Sequence, residues 1–140
     1  MSTPPSLSPT IALLSVARRT ERELSEGLRP LGLTIRQYGL LGHIRSSPGV
    51  SFSELARRSG VSAPSAHTMV GTLSRSGLVV DSTAHSGSPS RLAVTDEGIS
   101  LLDRAALVRA DVDARLRVEF PELCRVLDAM TLAMMNDREH

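Results

Sequence analysis

Between Ser62 and Arg75 the chain gathers side chains able to hydrogen-bond to a flat polar partner: Ser62, Ser65, His67, Thr68, Thr72 and Arg75, with Ala63 and Pro64 at the leading end. On a helix, Ser65, His67, Thr68, Thr72 and Arg75 face outward, because Met69, Val70 and Leu73 take the opposite side. Short hydroxyls, an imidazole and a guanidinium on an exposed helix suit base-pair edges in a DNA major groove. Catalysis is the competing chemistry. No Gly-x-Ser-x-Gly elbow, phosphate-cradling glycine loop or His-Glu-x-x-His occurs, and the Ser and His residues lack partners at a fixed spacing, so no enzyme is expected. His43, His67, His85 and His140 contain no tight pair and Cys124 is remote from them in sequence, so metal sensing is the minor alternative and no cofactor is expected.

Those side chains need a scaffold, and the flanking residues predict a helix-turn-helix over 53–79. Leu55 and Ala56 supply the apolar face of a first helix, Gly60 lets the backbone turn, and Val61 plugs the corner. Ser62 caps the second helix, Pro64 sits where a missing N–H costs little, and Gly77 ends the element. A helical hairpin inside a core would share this spacing; the polar outer face separates the two. Residues 78–82 (Leu-Val-Val-Asp-Ser) and 91–95 (Arg-Leu-Ala-Val-Thr) predict two strands around a Ser/Gly/Pro-rich loop at 83–90. A hairpin directly after a recognition helix is a wing, with its tip near the minor groove or the backbone. Arg91 is its one basic residue. Either it reaches a phosphate or a narrow minor groove, or it pairs with Asp81 across the hairpin and contributes nothing direct to DNA.

Residues 1–9, with three Pro and three Ser, read as a flexible tail. From Thr10 a helix carries Ile11, Leu14, Ala17, Leu24 and Leu28, stopping near Pro30 and Gly32. Thr34 and Gln37 form a capping box opening a second helix through Tyr38, Leu40, Leu41 and Ile44, closed by Ser47-Pro48-Gly49. Ser51 and Glu54 repeat that spacing, while Val50-Ser51-Phe52 also fits a short strand. Thr95-Asp96-Glu97-Gly98 starts a long helix to Phe120, with acids where the helix dipole favours them, and Pro121 separates a final helix. The first and last two helices carry more apolar surface than a small winged unit covers, so dimerisation outweighs a monomeric bundle.

At 140 residues, 41% hydrophobic and 22% charged, the composition is that of one globular domain. Two Phe, one Tyr and no Trp argue against stacking on single-stranded nucleic acid. All 16 basic residues are arginine, and the net +1 hides a gradient: residues 45–95 set five Arg against Glu54 and Asp81, while 96–140 set six Arg against ten acids. The segment holding the helix-turn-helix has the sign that phosphates attract. No signal peptide or apolar run of about 18 residues is visible, so a cytoplasmic protein away from membranes is expected. The single Cys124 reads as a small buried thiol, with redox sensing the lesser alternative.

Ser53-Glu54-Leu55-Ala56, Gly60-Val61-Ser62, Val70 with Leu73, Gly77-Leu78-Val79 and Leu92-Ala93-Val94-Thr95-Asp96-Glu97-Gly98 together resemble the multiple-antibiotic-resistance regulator (MarR) family of bacterial winged-helix repressors. The resemblance covers essentially residues 10 to 138. It implies a mainly α fold with a small β-hairpin wing: a winged helix-turn-helix over 33–95, flanked by dimerisation helices over 10–30 and 96–138 within one domain at 10–140. It further implies a homodimer on a double-stranded, palindromic DNA operator, repressing genes for efflux, detoxification or catabolism. A small anion or phenolic inducer between the dimer region and the winged helix is also implied. DNA contacts would come from Ser62, Ala63, Pro64, Ser65, His67, Thr68, Thr72, Arg75 and Arg91. Two departures reduce the charge: the family often has Arg where Thr68 and Thr72 stand, and an Asp-x-Arg pair where this wing has Ser86-Gly87-Ser88. A winged-helix-shaped protein-interaction module without DNA binding is therefore the alternative.

Overall fold

Serine and proline open the first helix. Ser8 Oγ accepts the Ile11 N–H at 3.3 Å and the Ser8 carbonyl accepts that of Ala12 at 3.0 Å, while Pro9 needs no N–H partner in the first turn. Helix α1 accordingly spans Pro9–Leu28 and takes in the last residue assigned to the tail. The computed structural model describes residues 7–85 and 88–137, so residues 1–6 of the tail expected at 1–9, the wing residues Ser86 and Gly87, and residues 138–140, His140 among them, lie outside the described residues.

A short 3-10 turn at Arg29–Leu31 follows, then α2 (Ile35–Ser46), α3 (Phe52–Ser59), α4 (Ala63–Arg75), β1 (Val79–Asp81), β2 (Leu92–Val94), α5 (Asp96–Glu119) and α6 (Pro121–Asp137). The Thr34 capping box forms in both directions, with Gln37 N–H donating to Thr34 Oγ1 and Thr34 N–H to Gln37 Oε1. At α3 only half forms: Ser51 Oγ takes the Glu54 N–H, but the Glu54 carboxylate is held by Arg57 and Arg58. Charge-assisted bonds from two guanidinium groups outcompete a neutral amide. Val50–Phe52 forms no strand. Gly49 N–H donates to the Leu92 carbonyl, Val50 N–H turns back to Ser47, and Phe52 already begins α3.

Two compact units divide the chain, one comprising residues 25–108 and the other the segments up to 24 and from 109 onward. The winged unit thus includes the end of α1 and half of α5, more chain than 33–95. Leu28, Leu40, Leu41, Ile44, Leu55, Leu73, Val79 and Leu92 are its largest fully buried side chains, an aliphatic core that the composition anticipates. Strands β1 and β2 pair antiparallel, with Val79 opposite Val94 and Asp81 opposite Leu92. Thr95 fastens the base of the hairpin to α5: its Oγ1 donates to the Gly77 carbonyl at 2.6 Å and accepts the Gly98 N–H at 3.0 Å. A Cβ at Gly98 would fall on the Leu78 carbonyl oxygen and on Val94 Cγ1, so the third position of α5 admits no side chain there.

The other unit contains most of α1, the second half of α5 and α6. Arg19 grips Glu119 through both guanidinium nitrogens at 2.8 and 2.7 Å, and Arg117 grips Asp128 at 2.7 and 3.0 Å. Cys124 is buried, as its position in an apolar pattern predicts. Ile11, Leu13, Leu14, Val118, Met130 and Met134 are all exposed in the single chain.

Candidate nucleic-acid interface

The turn between α3 and α4 is built from the backbone outward. Gly60 closes α3 at φ +66°, a left-handed conformation that glycine adopts without steric cost, and Val61 N–H reaches back to the Ala56 carbonyl at 3.1 Å. Ser62 Oγ then accepts the Ser65 N–H at 3.2 Å and donates to Ser65 Oγ at 2.9 Å, with Pro64 in the first turn. Ala66, Val70 and Leu73 are buried on the inner side of α4.

Ser62, Ala63, Pro64, Ser65, His67, Thr68 and Arg75 are exposed, and Thr72 is half-buried. The helix brings Thr68, Thr72 and Arg75 into one chain of contacts. Thr68 Oγ1 donates to the Pro64 carbonyl at 3.1 Å, Thr72 Oγ1 donates to the Thr68 carbonyl at 3.1 Å, and Arg75 Nη2 donates to Thr72 Oγ1 at 3.3 Å. The Arg75 guanidinium therefore lies back along its own helix. His67 stands apart from that line, stacked on Phe52 with ring centroids 3.8 Å apart and planes 8° from parallel.

Arg91 is exposed and immediately precedes the second wing strand. Its N–H donates to Thr83 Oγ1 at 3.1 Å, and the Asp81 carboxylate is taken by the Thr83 N–H at 3.0 Å. Among the described residues no ion pair joins Arg91 to Asp81, so the cross-hairpin pairing entertained from sequence does not form. The register explains it: Asp81 faces Leu92, one residue beyond Arg91.

Sequence reasoning overlooked two features of this surface. Phe52 touches His67 from another helix, and no local spacing reports such a contact. Glu54 collects both neighbouring arginines of α3, with Arg57 Nη2 at 2.5 Å and Arg58 Nε at 2.9 Å, and Arg58 also donates to Ser47 Oγ at 2.9 Å. Hydrogen bonds from Arg57, then Arg58, hold the Glu54 carboxyl well below its ordinary range, at about 2. The Glu-x-x-Arg-Arg spacing was visible in the sequence and is the signal that could have found this fork. Among the described residues no group of three or more His, Cys, Asp or Glu side chains could hold a metal ion.

The chain is similar to known proteins of one family. A family model described as MarR family matches residues 31–86. The HTH-type transcriptional repressor Rv2887 of Mycobacterium tuberculosis is 35% identical over 95 residues, covering 67% of this chain and 68% of the relative. The solved structure of Rv2887 in complex with DNA has a TM-score of 0.75 at 28% identity, covering 89% of this chain and 98% of that one. Rv2887 with p-aminosalicylic acid gives 0.71 at 28%, covering 93% and 99%. The transcriptional repressor CouR bound to a 23-mer DNA duplex gives 0.77 at 26%, covering 92% of each chain.

Proposed function

The chain belongs to the MarR family of winged helix-turn-helix regulators, and we propose that it is a transcriptional repressor that reads a palindromic operator as a homodimer. It is a regulator and not an enzyme. The observation that carries the proposal is the two-sided character of α4: Ala66, Val70 and Leu73 fix the helix to the core while Ser65, His67, Thr68 and Arg75 remain exposed. That arrangement suits a helix entering the major groove by its N-terminal end, with Ser62, Ala63, Pro64 and Ser65 foremost. Thr72 extends the contact along the helix, and Arg75 and Arg91 supply charge for the sugar-phosphate backbone.

Dimerisation is supported by the exposed apolar side chains of α1, α5 and α6, which a second copy would cover. The resemblance of this chain to Rv2887 and CouR, each solved on DNA, supports the operator as partner. Rv2887 has also been solved with salicylic acid, which supports a small aromatic acid as the inducer class. No helix among the described residues is long and apolar enough to cross a membrane, and a cytoplasmic site of action fits a DNA-binding regulator.

The test is a gel-shift of the protein on the DNA upstream of its own gene at two salt concentrations, with and without salicylate. A specific complex is expected at both, weakened by salt and by the acid. No specific complex at low salt would favour the winged-helix-shaped interaction module instead. Sedimentation should find a dimer, and a concentration-independent 15.0 kDa species would remove the palindromic reading.

A further inference from the structure

We infer that Phe52, on α3 and outside the residues assigned to face the duplex, is a positioning residue for base reading by His67. The inference rests on α4 being the recognition helix. The two rings lie flat on each other, 3.8 Å between centroids and 8° from parallel, across 15 residues of sequence. Among the described residues this stack is the specific contact that fixes the imidazole, which is otherwise exposed.

Space beside the pair makes that contact consequential. Phe52 and His67 border an open pocket of about 450 Å³ that Ser51 and the hairpin residues Asp81, Thr83, His85, Ser88 and Ser90 also line. An imidazole without a platform has room to swing across this pocket. With the platform, its plane is set and its nitrogens lie on the ring edge. A neutral imidazole presents one N–H donor and one bare nitrogen acceptor, so a base edge can be discriminated only if the ring holds one orientation.

The platform is itself well anchored. Phe52 is the first residue of α3, directly after the capping Ser51, and the next turn places Leu55 and Ala56 in the core. Phe52 is only half-buried in a unit whose core is aliphatic, so it serves an exposed partner at the edge of that core. Offset or parallel stacking gives such a pair geometric preference beyond simple apolar contact.

The experiment selects duplexes from a randomised library with wild-type protein, Phe52→Leu, Phe52→Tyr, His67→Ala and the Phe52→Leu/His67→Ala double variant. Base preferences are compared position by position, and thermal melting reports the fold. Phe52→Leu is expected to lose about tenfold of discrimination at the base pairs that His67→Ala relaxes and to leave the others unchanged. The double variant should match His67→Ala alone, and Phe52→Tyr should keep the wild-type profile. The His67 ring protons should be shifted upfield by the Phe52 ring current in wild type and return toward solvent values in Phe52→Leu. Should Phe52→Leu fail to fold, Phe52→Met supplies a larger ring-free side chain for the same measurements. Coincident wild-type and variant profiles, an even loss at every position, or unshifted His67 resonances would overturn the role of Phe52. Wild-type protein that enriches no sequence would overturn the recognition helix itself, and this inference with it.

Discussion

Arg19 and Glu119, 100 residues apart in sequence, meet through both guanidinium nitrogens at 2.8 and 2.7 Å, and the same guanidinium stands 5.4 Å from the Phe120 ring centroid. One side chain thus ties α1 to the end of α5 by two different attractions. Both partners of the ion pair are about half exposed, so solvent screening leaves the pair about 0–1 kcal/mol. Glu119→Gln should therefore be nearly silent in a urea melt, and Arg19→Ala should cost about 0.5–1 kcal/mol more through the lost ring contact. Equal effects of the two substitutions would show that the Phe120 contact contributes nothing.

Base preference should follow the N-terminal half of α4. Replacing His67 or Thr68 by Ala should change affinity at particular operator base pairs by about 1–3 kcal/mol where the contact is good. Competition with single-base operator variants measures this, and an unchanged preference would mean that another element reads the sequence.

Arg91 should behave differently, because its guanidinium has no Asp81 partner to leave behind. Arg91→Ala should weaken binding to all duplexes alike and lower the slope of log affinity against log salt by about one per half-site. Parallel lines for wild type and variant would remove Arg91 from the DNA surface.

Gly98→Ala sets two effects against each other. Alanine favours a helix over glycine by about 1 kcal/mol, but its Cβ would fall on the Leu78 carbonyl and Val94 Cγ1. Backbone against side chain yields little, and overpacking of this kind costs about 1–3 kcal/mol. Net destabilisation with a loosened hairpin is expected, measurable by thermal melting and by faster amide exchange at Thr95. A more stable variant would mean that the α5 start shifts freely away from Leu78.

Acid should act partly through Glu54. Its carboxyl is lowered from 4.5 to about 2 in the folded chain, so the ionised form is favoured by folding. The resulting stability is fully present above the unfolded value and drains away as pH falls from about 4.5 toward 2. Glu54→Gln should flatten the stability profile in that window, while Asp128, lowered by Arg117, keeps part of the slope. An identical acid profile in the variant would show that the Arg57 and Arg58 contacts carry no net preference for the charged form.

Local grammar was legible in the sequence and long-range contact was not. Thr34 with Gln37, Gly60 with Val61, and Ser62 with Pro64 each act within a few residues, and the folded chain uses them as their spacing predicts. Ser51 and Glu54 have equally good spacing, yet two arginines one turn away take the carboxylate. Val50–Phe52 has strand-like residues, but a strand needs a neighbour along its whole edge, and Gly49 already makes the bond to Leu92. The exposed polar side of α4 was readable from the sequence, whereas the stack of Phe52 on His67 depends on how two helices cross, which spacing within either one does not encode.

The hydroxyls of Thr68 and Thr72 donate to carbonyls of their own helix, which leaves the exposed Thr68 oxygen offering its lone pairs outward while the Thr72 oxygen already accepts from Arg75 Nη2. On the proposed recognition helix Thr68 Oγ1 would accept from the exocyclic amines of adenine and cytosine but would have no proton ready for guanine O6 or thymine O4. A guanine or thymine contact must first rotate a hydroxyl and strip a bond from the helix backbone. If α4 reads the duplex as proposed, the position Thr68 reaches would thereby favour amine-bearing base edges, a discrimination set by where one proton sits before any DNA arrives.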